Sequence, residues 1–289
     1  MPADSGTKTG KTKPTGKADL HIHSTYSDGV HSPFELVKKA AEAGLRAISI
    51  TDHDSITGID ESIRYGIEYQ LTVIPGIEFS ATNNGREVHI IGYFFDRTNH
   101  RLTSALTFLR NERLKRAERI IGKLNRLNIP VTMDDVLEVS RAGSVGRPHI
   151  ATAMVEKGYA ESFSQVFIKY IGENGPAYEK KSELSSQEVI DLISHAGGLS
   201  ILAHPGKSMT ERDLLLLIEA GIDGIEVIHP SHMEDQIKYY RAIVNQYYLV
   251  ETGGSDYHGG LRGDDQNLGR VYVPLEVIDH LRRRLPIST

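Results

Sequence analysis

The chain has no cysteine and no tryptophan among its 289 residues, and aromatic residues make up only 7%. Without cysteine there is no disulfide framework and no thiolate zinc site, so any metal has to be held by histidine and carboxylate. No apolar run approaches the ~20 residues that cross a bilayer as a helix. The first segment, rich in Lys, Thr and Gly, lacks the apolar stretch of a secretory signal. Residues 1 to 16 read as a flexible tail, and the cytoplasm is the default location. A net charge of −5 gives no global pull toward nucleic acid and leaves room for a local basic patch.

Histidine is present in particular places. Five of the thirteen histidines fall in four short segments, His21-Ile22-His23, Thr51-Asp52-His53-Asp54, Ala203-His204-Pro205 and Ser255-Asp256-Tyr257-His258. Each segment closes a run that reads as a β-strand. Imidazoles and carboxylates repeated at strand ends are what a multi-metal hydrolytic site needs.

The pattern between these segments sets the fold class. Strand-like runs cover Ala18 to His23, Arg46 to Thr51, Thr72 to Ile77, Glu87 to Phe95, Leu199 to Ala203, Gly224 to Ile228 and Tyr248 to Thr252. Helical patterns separate most of them, beginning with Ser32 to Ala43, which opens on a Ser-Pro cap and ends at Gly44. Seven strands alternating with helices predict an α/β fold with a parallel sheet, and the count favours a barrel over an open sheet. Between the fourth and fifth strands lies a block of helical patterns, the longest from Leu102 to Leu127. It predicts an inserted helical subdomain over roughly residues 99 to 184, splitting a barrel domain of residues 17–98 and 185–289. An insertion there would cover the active-site face.

Candidate ligands follow from position. In an alternating strand His21 and His23 point to one face and Leu20 and Ile22 to the other, so both histidines can bind one metal. Asp28 sits in a Ser-Asp-Gly turn, where it can be a turn former or a ligand. His53 and Glu78 follow apolar strands, and His89 lies inside one, where a core or surface role competes with ligation. His204 ends another apolar run. Asp256 and His258 repeat the two-residue spacing among glycines that allow close backbone approach.

The order His-X-His, Thr-Asp-His, Gly-Ile-Glu, a strand histidine, Ala-His-Pro and Gly-Ser-Asp-X-His resembles the PHP (polymerase and histidinol phosphatase) superfamily of metal-dependent phosphoesterases. The resemblance runs from residue 18 to about 273 and supplies a counterpart for all nine expected ligands. It implies a distorted (β/α)7 barrel with a helical insertion after strand four, and a trinuclear site. His21, His23, Glu78 and Asp256 would hold one ion, Glu78 would bridge to a second held by His89 and His204, and Asp28, His53 and His258 would hold the third. Three divalent ions are thus expected, Mn2+ first with Fe2+ and Zn2+ as alternatives, because imidazole favours transition metals over Mg2+.

Paired metals lower the pKa of water and offset phosphate charge, so the expected reaction is in-line hydrolysis of a phosphate ester by metal-activated hydroxide. Asp19, Asp52 and Asp54 can orient ligand imidazoles or serve as caps and turn formers. Arg147, in Gly-Arg-Pro-His at a helix start, can present a fork to phosphate. Similar segments mark the branch resembling nucleoside 3′,5′-bisphosphate phosphatases and 5′→3′ exoribonucleases. His229 and His232 follow the sixth strand and can contact phosphate or protonate a leaving group. Tyr178 is a weaker candidate for stacking on a base. Arg110, Arg113, Lys115, Arg116, Arg119, Lys123 and Arg126 are spread around the long helix and read as a solvated face.

The reading is therefore a metal-dependent phosphoesterase whose partner is a small nucleotide or short oligonucleotide substrate, with no membrane and no obligate protein partner. A sugar- or histidinol-phosphate phosphatase is the alternative within enzymes. A non-catalytic metal-binding module is the alternative outside them.

Overall fold

The computed structural model describes residues 16–140, 143–181, 184–260 and 262–286. Apart from Gly16, the expected tail lies outside the described residues. The alternating first run forms β1 (Lys17–Ile22), followed by α1 (Pro33–Glu42), β2 (Ala47–Ile50) and α2 (Ile59–Glu68). Ser32 caps α1 by accepting the Glu35 N–H, while the Glu35 carboxylate accepts the Ser32 N–H at 2.8 Å, and Pro33 opens the first turn.

Pro75 divides the expected third strand into β3 (Thr72–Val73) and β4 (Gly76–Asn83), which turns directly into β5 (Arg86–Tyr93). Asn84 and Gly85 between them have φ of 50° and 79°, the left-handed pair of a two-residue hairpin turn. So tight a turn forces an antiparallel pair, from Gly76 opposite Tyr93 to Asn83 opposite Arg86. The sheet is therefore mixed, which corrects the all-parallel expectation.

The helical block follows as α3 (His100–Arg126), α4 (Met133–Ser140), α5 (Arg147–Glu156) and α6 (Phe163–Val166). The chain continues from α6 as a π-helical turn, Phe167–Ile171. After it come β6 (Leu184–Ser185), α7 (Ser186–His195), β7 (Leu199–Leu202), α8 (Glu211–Glu219), β8 (Gly224–Ile228), α9 (Glu234–Gln246), β9 (Val250–Gly253), β10 (Val273–Pro274) and α10 (Glu276–Arg284). No helix among the described residues is long and apolar enough to cross a membrane.

The strands form two sheets, ordered β10-β1-β2-β3 and β6-β4-β5-β7-β8-β9. Single bridges join them at two seams, His53 with Glu78 and Ile22 with Tyr257. Around these seams the Asp54 N–H donates to the Glu78 carbonyl at 2.9 Å and the Asp256 N–H to the His21 carbonyl at 2.9 Å. Helix α3 packs in two places. Leu102, Leu106 and Leu109 join the core formed by β4, β5, α7 and α8. Ala117, Ile120, Ile121 and Leu124 join a separate core with Val136, Ile150 and Met154 of the helical block. Each fully buried side chain of this kind contributes about 1.5–3 kcal/mol through burial, enough to fix both ends of α3.

Candidate metal centre and the pocket beside it

All nine residues expected as ligands converge where the two sheets meet. Glu78 is the hub. Its Oε2 lies 3.4 Å from His21 Nε2, 3.2 Å from His23 Nε2 and 3.0 Å from His53 Nδ1. Its Oε1 lies 2.9 Å from both His89 Nδ1 and His204 Nε2. Asp256 Oδ1 is 3.4 Å from His21 Nε2 and 3.2 Å from His23 Nε2. Asp28 completes the far end, 3.4 Å from His258 Nε2 and 3.9 Å from His53 Nε2.

Local backbone makes this convergence possible. On the β4–β5 hairpin Ser80 faces His89, so Glu78 and His89 share one face and meet diagonally. His204 and Asp256 have φ of 25° and 48°, sparsely populated for residues with a Cβ, and both turn their side chains back over the strand ends. At Gly254 an added Cβ would lie 2.4 Å from the His21 amide nitrogen, so only glycine lets this loop cross β1.

The donor set fits divalent metal. Four buried atoms that face the cluster, Asp28 Oδ1, His53 Nδ1, Glu78 Oε2 and His258 Nε2, make no hydrogen bond. Unsatisfied buried polar atoms cost about 1–3 kcal/mol each, and divalent ions bound in the overlapping ligand sets would satisfy them. The ligand atoms fall into overlapping sets within 4.8 Å of one another: His23, Asp28, His53 and His258; His21, His23 and Asp256; His21, Glu78 and His204; His53, Glu78 and His89.

Electrostatics point the same way. Burial disfavours the charged form of His23, but the Asp256 and Glu78 carboxylates beside it outweigh this and push the imidazole up to about 9. Burial likewise opposes charge on His89, yet Glu78 raises it to about 10. Burial alone would raise Glu78, but the surrounding imidazoles, His53 and His89 first, hold it well below the usual carboxylate range. Burial drives His53 down in spite of Glu78 and Asp28. Divalent ions held by these carboxylates and imidazoles would displace protons from the raised histidines.

The residues behind the ligands differ in part from expectation. Glu226, not singled out from the sequence, is fully buried on β8 and receives His21 Nδ1 at 3.0 Å and the His204 backbone N–H at 2.8 Å. Its signal was a lone carboxylate inside the apolar run Gly-Ile-Glu-Val-Ile. By contrast, Asp19, Asp52 and Asp54 make no hydrogen bond to a ligand imidazole. Asp19 accepts the Ser255 N–H at 2.9 Å, and its burial raises it to about 7. Asp52 accepts the Ser24 N–H at 2.7 Å and the Ser27 hydroxyl at 2.5 Å. Asp54 accepts the Ser80 N–H at 3.1 Å and pairs with Arg113.

His229 Nε2 lies 3.4 Å from Asp256 Oδ2, at the edge of the cluster. His232 does not reach it. Its Nε2 accepts the Gly206 N–H at 3.1 Å and its Nδ1 donates to the Val227 carbonyl at 2.9 Å, so both ring nitrogens hold backbone groups. Its expected role as a proton donor therefore has no nitrogen to act through.

A cavity of about 330 Å3 opens beside Asp28, His53 and His89 and is lined by Arg113, Arg116, Arg147, Lys181 and Arg262. Two of these correct the reading of α3 as a solvated face. Arg113 Nε donates to Asp54 Oδ2 at 2.8 Å, and Arg116, 7% exposed, donates to the Glu179 carbonyl at 2.9 Å. Burial, then the neighbouring Arg147 and Arg113, push Arg116 down to about 10. Carboxylates offset part of this charge, Asp54 at Arg113, Asp28 at Arg262 and Glu87 at Lys181, 3.7 Å away. Arg110, Lys115, Arg119 and Arg126 are exposed as expected. Arg147 opens α5 with its guanidinium 5.8 Å from the Phe167 ring and 5.9 Å from that of Tyr178. The aromatics lining the cavity are Phe163 and Phe167, whose rings lie 5.0 Å apart, whereas Tyr178 is outside that lining.

Comparison with known proteins places the chain in a family. The PHP domain profile matches residues 19–252. The chain belongs to the PHP domain family. A 5′-3′ exoribonuclease of Haemophilus influenzae is 36% identical over 249 residues, 84% of this chain and 90% of that protein. A 3′,5′-nucleoside bisphosphate phosphatase of Chromobacterium violaceum is 30% identical over 246 residues, 83% of this chain and 86% of that protein. A crystal structure from Bifidobacterium adolescentis ascribed to a metal-dependent phosphoesterase superposes with a TM-score of 0.87 at 31% identity, covering 93% of this chain and 96% of that one. The protein is a metal-dependent phosphoesterase, a hydrolase of the PHP family.

Proposed function

We propose that this phosphoesterase removes the 3′-phosphoryl group from a nucleoside 5′-phosphate, as a nucleoside 3′,5′-bisphosphate phosphatase or as a 5′→3′ exonuclease on short oligonucleotides. The observation that carries this reading is the adjacency of the two charged sites. A cationic cleft of mononucleotide size opens onto the carboxylate–imidazole cluster at Asp28, His53 and His89. A substrate with two phosphates can occupy both at once, whereas histidinol phosphate has nothing to place in the cleft.

In this reading His21, His23, Glu78 and Asp256 hold one divalent ion, Glu78, His89 and His204 a second, and Asp28, His53 and His258 a third, with Mn2+ preferred. When bound, such ions supply Lewis-acid activation of water and neutralise phosphate charge. The chain's own residues do the rest. Arg113, Arg116, Arg147, Lys181 and Arg262 bind the 5′-phosphate, and Asp54 fixes the Arg113 fork through its buried carboxylate. Phe163 and Phe167 wall the cleft and stack on the base. His229, against Asp256, is positioned to pass a proton to the displaced O3′. The single bridges at the two seams support reading β1, β2, β4, β5, β7, β8 and β9 as a distorted seven-stranded barrel with residues 99–184 inserted over its mouth.

The test is phosphate release by Mn2+-loaded protein from adenosine 3′,5′-bisphosphate, histidinol phosphate and a 5′-phosphorylated RNA oligomer. Turnover of the first or third by at least tenfold over histidinol phosphate is expected. Preference for histidinol phosphate would overturn the reading.

A further inference from the structure

The segment that leads into α5 packs against the loop that carries Asp28, and backbone makes much of the contact. Gly143 comes so close to this loop that an added Cβ would stand 2.6 Å from the Thr25 carbonyl oxygen. The next residue, Ser144, donates its N–H to the Tyr26 carbonyl at 2.9 Å. The loop itself is closed by the Ser27 and Gly29 N–H groups, which both donate to the Ser24 carbonyl at 3.0 Å. Asp28 stands between those two donors in the chain, so its place is tied to that of Ser27.

His149 adds a third tie, through its side chain. It is buried, and it belongs neither to the lining of the cationic cleft nor to the ligand sets. Its Nδ1 accepts the Gly146 N–H at 3.0 Å, which closes the cap at the start of α5. Glutamate or glutamine is the usual residue at this capping position. With Nδ1 accepting, the proton of the neutral ring is on Nε2, and the ring hydrogen-bonds to the Ser27 backbone. One side chain therefore grips the residue before Arg147 and the residue before Asp28.

We propose that His149 is a positioning residue that locks the cationic cleft to the ligand loop of the third ion, holding Arg147 and Asp28 at a fixed separation. The assignment rests on the cleft and the ligand sets read above. A substrate that fills cleft and cluster together needs that separation constant, because its two phosphates are joined through one ribose. His149 sets it without touching either phosphate. A single substitution at His149 should therefore weaken both sites, whereas a substitution within one site should weaken that site alone.

The experiment reads two affinities on each variant. One is that of the most weakly held Mn2+, by competition with a chromogenic chelator, and the other is that of a nucleoside 5′-phosphate in excess chelator. His149→Ala is expected to weaken the first by about tenfold and the second by about fivefold, as for a lost neutral hydrogen bond. His149→Gln, an amide with one acceptor and one donor group, should recover part of both. Met154→Ala, in the core of the helical block further along α5, controls for general loosening. It should lower Tm at least as far as His149→Ala and leave both affinities within twofold. Loss of only one affinity in His149→Ala, loss of neither, or equal losses in Met154→Ala overturns the assignment. Wild-type protein that binds fewer than three ions removes the ligand reading, and wild-type protein that binds no nucleotide in chelator removes the cleft reading; the assignment falls with either.

Discussion

The metal cluster and the cationic cleft share Asp28, His53 and His89, yet they are built in opposite ways. In the cluster the ligands sit on strands or in the loops that follow them, and the two sheets bring the strands together. In the cleft Arg113 and Arg116 stand on α3, Arg147 opens α5, and Lys181 and Arg262 come from segments far apart in the chain. In the proposed function the sheets fix what chemistry is done, and the helical block chiefly determines what it is done to. Substitutions in one should leave the other working, and that separation can be tested from either side.

The largest effect should come from the hub. Glu78→Ala removes the carboxylate shared by five imidazoles and is expected to lower kcat/KM by at least about a hundredfold, with metal content falling by elemental analysis. Binding of a nucleoside 5′-phosphate in chelator should persist, and its loss would show that cluster and cleft are not separate. Next comes Glu226, which holds His21 and the His204 backbone. Glu226→Ala should weaken metal binding by about 10- to 100-fold, read by competition with a chromogenic chelator, and Glu226→Gln should recover part of this by accepting the same imidazole proton. Unchanged metal affinity in Glu226→Ala would deny it this role.

On the cleft side, Arg147→Ala should raise KM for a nucleoside bisphosphate by about tenfold, in the range for a lost charge-assisted hydrogen bond, with bound metal unchanged. Arg126→Ala, at the exposed end of α3, serves as the control and should do nothing. Equal effects from the two would reduce the part played by Arg147 to general electrostatics. The smallest change is Phe167→Ala. Loss of stacking, roughly 1–3 kcal/mol per base, should raise KM for the nucleotide severalfold and leave ribose 3,5-bisphosphate, which has no base, unaffected.

This contrast also explains what could be read from the chain alone. Ligands at strand ends announce themselves locally, because a short apolar run followed by histidine or carboxylate is visible within six residues. Glu226 was hidden because a single carboxylate in a strand looks solvated until that strand is known to be buried on β8. Arg113 and Arg116 were hidden because seven charges spread around one helix give no stripe, and only packing against Asp54 and Glu179 buries two of them. The antiparallel β4–β5 pair was legible in principle. Asn84-Gly85 leaves no room for the crossover that a parallel pair requires, but the regular count of strands and helices suggested parallel pairing throughout.

Helix α3 carries a further consequence. Its 27 residues run from one hydrophobic core to another, with Arg113 and Arg116 between the two anchorages. It is a shaft of fixed phase. Each residue advances an α-helix by about 1.5 Å and turns it by about 100°, so one residue gained or lost between Leu109 and Ala117 would rotate the far core out of register with the near one. Point substitutions can retune which anion the cleft admits, but the spacing of its mount can change only in near-whole turns. The cleft can therefore vary in its side chains while the interval that carries them stays constant in length.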